Sequence, residues 1–254
     1  MNGYRELAAE LRRRIDSGEF EVGATLPRIL DLMEEYKLSK QTVRDAVGVL
    51  ADEGLVVTSK RAGTIVRNRT PIAIPLSRYN QTMAPGGSRG PWETATAAQG
   101  LDGFMQLIRV DRVPADADVA ELLELRPGDG LVYRLRHAII RPDDVVQIQH
   151  AWYPKDLAEG AGIATTSKIT GGVYGAFLAA GHELATASET ISARPPTEQE
   201  AAELRIGGRV SVIALERVTK NRDGRPIEVL RAVAPADRVR FIYDDLPLLN
   251  ERAQ

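Results

Sequence analysis

Residues 39–54 of the 254-residue chain read SKQTVRDAVGVLADEG, and this stretch decides the fold of the N-terminal part. Ser39 belongs to the residue types that cap a helix by accepting from its free backbone N–H groups, and Gly54 can adopt the left-handed conformation that ends one. Four apolar residues recur at helical spacing: Val43, Ala46, Val47 and Leu50. The stretch therefore predicts an amphipathic helix with one buried side.

The N-terminal turn and a half of this helix carries side chains that are suited to reading DNA. The residues that lie off the apolar stripe are Lys40, Gln41, Thr42 and Arg44. A buried side combined with a basic, amide- and hydroxyl-bearing N-terminus is typical of helices that enter the major groove. Taken alone, the pattern fits a small solvent-exposed helix equally well, so the neighbouring segments must decide.

Two further helices are predicted before this one. An apolar stripe predicts a helix over 4–17, and a turn-rich segment ending at Pro27 precedes a second helix from Arg28 to about Tyr36. Residues 37–39 leave room for only a tight turn before the next helix. Two helices joined by so short a turn form a helix-turn-helix.

A β-hairpin with a basic tip is predicted after these helices. Two β-branched runs, 55–59 and 64–67, are separated by a turn with two cations, which predicts the wing of a winged helix. Residues 1–69 contain 12 Lys and Arg against 11 Asp and Glu, a net charge of only +1. The cations expected on the DNA-facing side are Lys40, Arg44, Lys60, Arg61, Arg67 and Arg69. Their placement matters more than the sum, because a face contacts the phosphates.

The overall composition excludes several kinds of site. The chain is 43% hydrophobic and 27% charged with a net charge of −2, so nucleic-acid binding must come from a local patch. Cysteine is absent and the three histidines lack metal-ligand spacing, so we expect no metal and no cofactor. No apolar run approaches the roughly 20 residues of a membrane span, and the charged N-terminus is unlike a signal peptide. We therefore expect no membrane partner and a cytoplasmic location.

Residues 26–66 resemble the winged-helix domain of the GntR family of bacterial transcription regulators. The resemblance is carried by Leu-Pro at 26–27, Thr-Val-Arg at 42–44, Glu-Gly-Leu at 53–55 and Gly-Thr at 63–64, all at the family's separations. The resemblance implies contact with double-stranded DNA through Arg28, Ser39, Lys40, Gln41, Thr42, Arg44, Lys60, Arg61, Gly63 and Thr64. Leu30 departs from the pattern, because the family has a phosphate-contacting arginine there, and Arg28 is a substitute two residues earlier.

A connector rich in proline and glycine follows, and the second half of the chain contains a repeat. We expect a winged helix-turn-helix domain at 1–69, a linker at 70–90 and an effector-binding and dimerisation domain at 91–246. The predicted strands are 104–113, 131–141 and 145–153 in one copy and 184–193, 210–219 and 226–234 in the other. Each copy has a helix and a Leu-Arg-x-Gly turn after its first strand. A duplicated β-α-β-β unit predicts an antiparallel sheet with helices on one side and a pocket between its halves.

Residues 91–244 resemble the UTRA domain, the effector-sensing module of the HutC subfamily of GntR regulators. The resemblance is strongest in DGRPIEVLRAVAPADRVRF at 223–241 and implies an α+β chain whose C-terminal domain has a chorismate-lyase-like fold. Within the subfamily, four segments look most like KorSA-like plasmid-transfer repressors of actinobacteria: PWE at 91–93, RHAII at 136–140, VVQIQHAWYP at 145–154 and GGVYGAF at 171–177.

In sugar-phosphate-binding UTRA domains, two arginines two residues apart on a strand hold the anion, and the resemblance implies such a site here. Arg134 and Arg136 are two residues apart and therefore share a face, and guanidinium groups suit phosphate or carboxylate. The UTRA resemblance implies an effector site of Arg134, Arg136, Gln149, Tyr174 and Glu228. Gln149, Gly172 and Ala234 replace a glutamate, a serine and a tyrosine of the sugar-phosphate-binding members. Alternatively, the arginines pair with acids on a solvated sheet face.

These features predict an effector-responsive transcription regulator. It would be a repressor that binds a palindromic operator as a homodimer and is released by a small molecule, for which the arginines favour an anion. A constitutive DNA-binding repressor whose C-terminal domain only dimerises is the alternative, supported by the three replacements. An enzyme fused to a DNA-binding head is a third possibility, but no metal cluster, nucleophile–base pair or glycine-rich phosphate loop supports it.

Overall fold

The computed structural model describes residues 3–59, 62–75, 90–169 and 171–243. Its helices are α1 Tyr4–Asp16, α2 Ile29–Tyr36, α3 Lys40–Asp52, α4 Pro91–Ala97, α5 Ala117–Leu122, α6 Lys155–Gly160, α7 Gly172–Ala179 and α8 Glu198–Glu203. Its strands are β1 Val56–Ser59, β2 Gly63–Val66, β3 Ile72–Pro75, β4 Gly103–Pro114, β5 Gly130–Ile140, β6 Asp144–Pro154, β7 Leu184–Arg194, β8 Val212–Asn221, β9 Pro226–Pro235 and β10 Val239–Ile242.

These elements form two compact units, each built from several stretches of the chain. The first unit contains the described parts of Met1–Thr70, Ala193–Val212 and Pro235–Arg238. The second contains the described parts of Pro71–Ser192, Ile213–Ala234 and Val239–Gln254. Within the described ranges, none of the helices has the length and apolar character needed to cross a membrane.

The first unit contains the predicted winged helix-turn-helix. Lys37 follows α2 in the left-handed conformation, at a φ of 54°, and only the three residues 37–39 separate α2 from α3. Strands β1 and β2 pair antiparallel as the wing, and the backbone of residues 23–26 hydrogen-bonds to β2. The three-helix and hairpin order expected from the sequence is confirmed.

Helix α3 is held by its apolar stripe. All four residues of the stripe are buried, and they share one core with Leu7 and Leu11 of α1 and Leu32 of α2. The helix ends at Asp52, and Gly54 follows at a φ of +74°. Because this side of the helix is fully used for packing, only the opposite side is left for a partner.

A later stretch of the chain packs in the same unit. A capping box begins α8, since the Glu200 backbone N–H donates to the Thr197 hydroxyl over 3.2 Å and the Thr197 N–H donates to the Glu200 carboxylate over 2.8 Å. Beyond α8, Gly207 approaches the last turn of α3 so closely that a Cβ there would overlap the Ala51 carbonyl oxygen. Glycine at 207 is therefore a packing requirement.

The second unit is built around a six-stranded sheet in the order β4-β5-β6-β9-β8-β7. The β4–β5, β5–β6 and β6–β9 pairs are antiparallel. Strand β3, which lies in the stretch expected to be a linker, pairs parallel with β10 through buried Ile72 and Ile74. The α+β class with an antiparallel sheet is confirmed.

Helices cover both faces of this sheet, so the expectation that they pack on one side is wrong. Helices α6 and α7 share a core with Val132 and Tyr153 on one face. Helix α5 shares a different core with Leu131 and Val229 on the other face. Neighbouring residues of a strand point to opposite faces, and Leu131 and Val132 are both buried.

The internal repeat is present, but its register differs from the one that the turns suggest. Strands β4 and β7 begin at Gly103 and Leu184, and helices α5 and α8 begin at Ala117 and Glu198, so both pairs are 81 residues apart. The Leu-Arg-x-Gly turns are only 79 residues apart, at 125–128 and 204–207. The structural spacing of 81 makes Arg217 the counterpart of Arg136.

We predict that Gly207→Ala lowers the free energy of unfolding by about 1–3 kcal/mol, because the added methyl group overpacks against a backbone oxygen that cannot rotate away. Urea denaturation of the full chain measures the loss. Gly208→Ala is the matched control, since a Cβ at Gly208 meets no atom within 4 Å. Equal stability of both variants would contradict the packing of this stretch on α3.

Candidate functional site

The N-terminus of α3 has the geometry of a capped, accessible helix end. The Thr42 backbone N–H donates to the Ser39 hydroxyl over 3.2 Å, and the two hydroxyl oxygens lie 2.8 Å apart. Ser39 therefore serves as the N-cap that its sequence position predicts. The remaining free N–H groups carry the positive end of the helix dipole, which favours phosphate.

Three of the predicted DNA-contacting side chains project from this end of α3 into solvent. Lys40, Gln41 and Arg44 are exposed, while Thr42 is half-buried against the cap. The Gln41 side-chain amide donates to the Asp45 carboxylate over 2.7 Å, which orients it along the helix. The helix thus presents two cations and an amide on the side opposite its core.

The start of strand β2 in the wing carries two of the predicted DNA-contacting residues. Gly63 has a φ of +79°, a conformation that favours glycine, and Thr64 is half-buried with its carbonyl oxygen accepting from the Leu26 N–H over 2.7 Å. The predicted contacts at Lys60 and Arg61 lie outside the described residues.

The entrance of α2 differs from the family pattern in the way that the sequence indicates. Arg28 is exposed at the N-cap of α2, where its backbone N–H donates to the Asp31 carboxylate over 3.0 Å. Leu30 is 63% exposed, so an apolar side chain faces solvent where the family has an arginine.

Arg67 does not belong to the exposed basic face, and that expectation is wrong. Its side chain is buried, and one terminal nitrogen donates to the Gly54 carbonyl over 2.5 Å and to the Asp237 carboxylate over 3.0 Å. Arg67 therefore stabilises the first unit by joining the end of α3 to the segment after β9. Arg67 and Asp237 are 170 positions apart in the chain, so no local sequence pattern reveals their pairing.

A cavity of about 570 Å³ lies in the second unit, on the face of the sheet that carries α6 and α7. All five predicted effector residues line it: Arg134, Arg136, Gln149, Tyr174 and Glu228. The register of β5 and β6 places the side chains of the cavity floor in rows of directly opposite residues. Arg134 lies opposite Ala151, Arg136 opposite Gln149, and Ala138 opposite Gln147. Within the described ranges, no group of three or more potential metal ligands is found.

At one end of the cavity, Glu228 is already surrounded by donors. Its carboxylate accepts from the Tyr153 hydroxyl over 2.7 Å, from Tyr174 over 2.9 Å, from Arg217 over 3.0 Å and from Thr219 over 3.1 Å. Only 1% of the residue is exposed. Three of these donors contact Oε2 and Tyr153 contacts Oε1, so the protein itself engages both oxygens of this acid.

The pKa shifts at this end follow from the same contacts. Burial by itself raises the pKa of Glu228, but the charges of Arg217 and Arg136 and the tyrosine hydroxyls outweigh it, so the pKa lies below that of an ordinary glutamate. Burial and the adjacent carboxylate raise the pKa of Tyr153. Glu228 is therefore held ionised and Tyr153 protonated.

Arg134 is engaged by backbone carbonyls at one terminal nitrogen and is buried at its Nε atom. One terminal nitrogen donates to the carbonyl oxygens of Ile163 and Thr165, the latter over 2.8 Å, which ties the loop before α7 to β5. Its Nε atom is buried without a hydrogen-bond partner among the described residues. Burial lowers the pKa of Arg134, and the charge of Arg136 lowers it further.

Arg136 and its repeat counterpart differ in their partners. Arg217 forms an ion pair with Glu228 over 3.0 Å, whereas the residue 81 positions before Glu228 is Gln147. The Gln149 side-chain amide donates to the Gln147 oxygen over 2.7 Å. Within the described part of the chain, Arg136 makes no hydrogen bond or ion pair, and its Nε is buried. The first copy therefore keeps the cation of the second copy but lacks its carboxylate.

Arg217 and Gln147 were not among the predicted site residues. The internal repeat could have identified both residues from the sequence if its spacing had been taken as 81. At this spacing Arg217 corresponds to Arg136, and Glu228 corresponds to Gln147.

The other end of the cavity is apolar. It is lined by Ile74, Trp92, Met105, Leu107 and Phe241. The Trp92 indole N–H donates to the Ile139 carbonyl over 3.3 Å, and the neighbouring Glu93 carboxylate accepts from the Met105 N–H over 3.0 Å. The Trp92 N–H and one oxygen of Glu93 are thus engaged by the protein, and the surface that the five side chains present to a ligand is hydrocarbon and aromatic.

Comparison with known families agrees with both halves of this description. A profile of the UTRA domain matches residues 98–240, and one of the bacterial regulatory proteins of the gntR family matches residues 3–66. A crystal structure of a GntR-family transcriptional regulator is similar with a TM-score of 0.61 at 26% identity, covering 97% of this chain and 98% of the other. The crystal structure of PhnF from Mycobacterium smegmatis shares the fold, with a TM-score of 0.58 at 24% identity, covering 93% of this chain and 97% of the other.

Curated relatives are similar along nearly their whole length. An HTH-type transcriptional regulator of Streptomyces coelicolor is 31% identical over 95% of this chain and 91% of its own. The HTH-type transcriptional repressor PhnF of Mycolicibacterium smegmatis is 25% identical over 94% of this chain and 90% of its own. These relatives are named as regulators and not as enzymes. The chain therefore belongs to the GntR family of bacterial transcription regulators, as a DNA-binding member that combines the family's winged helix-turn-helix with a UTRA domain.

Proposed function

We propose that this regulator is a cytoplasmic repressor that binds a palindromic operator as a homodimer and releases it when a small anionic effector enters the UTRA cavity. The observation that carries the effector part is Arg136, a cavity cation without a direct partner among the described residues. Glu228 attracts Arg136 electrostatically but accepts its hydrogen bonds from other donors, so the cavity favours a ligand that brings an anionic acceptor to the Arg136 guanidinium.

The repressor and dimer parts have separate support. The name of the Mycolicibacterium smegmatis relative describes it as a repressor. One reading helix per chain recognises one half-site, so a two-fold dimer would read two half-sites about 34 Å apart, or a multiple of that, on one face of DNA. The effector would act by binding more tightly to a conformation that fits the operator poorly.

A constitutive repressor remains the second candidate, because one observation favours it. Glu228, which the UTRA resemblance assigns to the ligand, already accepts four hydrogen bonds from the protein's own donors. Such a protein would bind its operator regardless of small anions. The narrower likeness to KorSA-like plasmid-transfer repressors stays a prediction, and the genes beside this one would test it.

We predict that Arg44→Ala weakens specific operator binding by about 1–3 kcal/mol, because its exposed guanidinium reaches a base edge or phosphate from α3. Fluorescence anisotropy with an operator found by footprinting upstream of the protein's own gene measures the change. Arg13→Ala is the control, since Arg13 lies on α1 and pairs with Glu10. Unchanged affinity of the Arg44 variant would rule out α3 as the reading helix.

We predict that Gln147→Glu abolishes anion binding while preserving the fold, because it gives Arg136 the carboxylate that Glu228 gives Arg217. Inorganic phosphate should raise the melting temperature of the unmodified chain by mass action and leave that of the variant unchanged. Gln106→Glu is the matched control, with the same charge change on an exposed position of β4.

The controls also separate the two candidate functions. If no anion stabilises the unmodified chain, the constitutive repressor is favoured. If Gln147→Glu still responds to phosphate as the unmodified chain does, Arg136 is not the anion site.

A further inference from the structure

We infer that the UTRA cavity takes an amphipathic anion, a carboxylate or phosphate head on an apolar body, in place of a sugar phosphate. This inference rests on the proposed function, because it assigns a chemical class to the effector. It is carried by the order of side chains along the cavity floor.

The first step concerns the acid that would bind sugar hydroxyls. A sugar needs acceptors that are open to the ligand, whereas Glu228 is 1% exposed and accepts from four donors of its own unit. At Oε2 a hydroxyl would have to displace Arg217, Thr219 or Tyr174, and at Oε1 it would meet the Tyr153 hydroxyl at an almost wholly buried position. Displacement would leave a buried donor unpaired, which costs about as much as the new bond contributes.

The second step places the head group. Arg136 and Gln149 are directly opposite each other in adjacent strands, in the middle of the floor. Arg136 offers guanidinium donors, and Arg134 lies one row away on the same face. Forked guanidinium donors match the oxygens of a carboxylate or phosphate.

The third step places the body of the ligand. In the next row beyond Arg136, Met105 lies opposite buried Ala138, about 7 Å further along the strand. Trp92 and Phe241 continue this surface, and the Trp92 N–H is already used by a backbone carbonyl. A head group on Arg136 therefore directs its substituent onto a hydrocarbon and aromatic wall.

Four probes test this class with the full chain. Octanoate has the head and the apolar body, acetate has the head alone, octan-1-ol has the body alone, and glucose 6-phosphate has an anionic head on a hydroxylated body. Isothermal titration calorimetry should show octanoate binding at least tenfold more tightly than each of the other three.

Two variants locate the contacts. Met105→Gln should weaken octanoate binding by about tenfold, since it replaces apolar wall with an amide of similar size, and should leave acetate binding unchanged. The matched control is Ile108→Gln, on an exposed position of the same strand outside the cavity. Gln147→Glu should abolish octanoate binding.

The outcomes separate this inference from the proposed function. If glucose 6-phosphate binds more tightly than octanoate and releases the operator, the inference is overturned while the proposed effector function stands. If octanoate binds as expected but leaves the operator complex intact, the ligand class stands and the effector function fails. Equal affinities for acetate and octanoate would overturn the inference by showing that the apolar wall contributes nothing, and absence of binding by every probe would overturn both.

Discussion

The contacts around the buried carboxylate of Glu228 are the interaction on which the cavity of the second unit depends. It draws a hydroxyl from β6, a hydroxyl from α7 and an arginine from β8 to one point between helix and sheet. An ionised group at this depth is tolerated only with such compensation. The wall that α7 forms over the sheet is therefore fixed by polar contacts as well as by the apolar core around Phe177, and the shape of the cavity follows from both.

The internal duplication explains why two equivalent arginines of the sheet, Arg136 and Arg217, have different partners. The two β-α-β-β copies place Arg136 and Arg217 at equivalent positions of the sheet, but only the second copy retains an acid as partner. Arg217 pairs with Glu228, and its counterpart Arg136 is the residue that we propose binds the head group of the ligand. A single amide at Gln147 in place of a carboxylate is enough to make this difference, since the backbone is otherwise repeated.

Local patterns predicted the N-terminal half closely, because caps, apolar stripes and turn glycines act over a few residues. The boundaries of α1, α3 and the wing strands were predicted to within one or two positions. The features that local patterns did not predict depend on residues far apart in the chain. They are the pairing of buried Arg67 with Asp237, the strand at 72–75 that pairs with β10, and the packing of α5 on the far face of the sheet. In the cavity, the five carried-over residues do lie together, while Arg217 was missed because the turn motifs indicated a repeat two residues too short.

The first unit is built from separate stretches of the chain, and this affects how its DNA-binding part can be joined to a different effector domain. Part of its packing comes from residues 193–212 and 235–238, which follow the strands of the effector domain in the chain. A chimaera that joins residues 1–70 to an unrelated sensor would set the buried guanidinium of Arg67 opposite whatever side chain replaces Asp237. A chimaera therefore keeps the ion pair of Arg67 only if the incoming domain carries an acid at the position of Asp237.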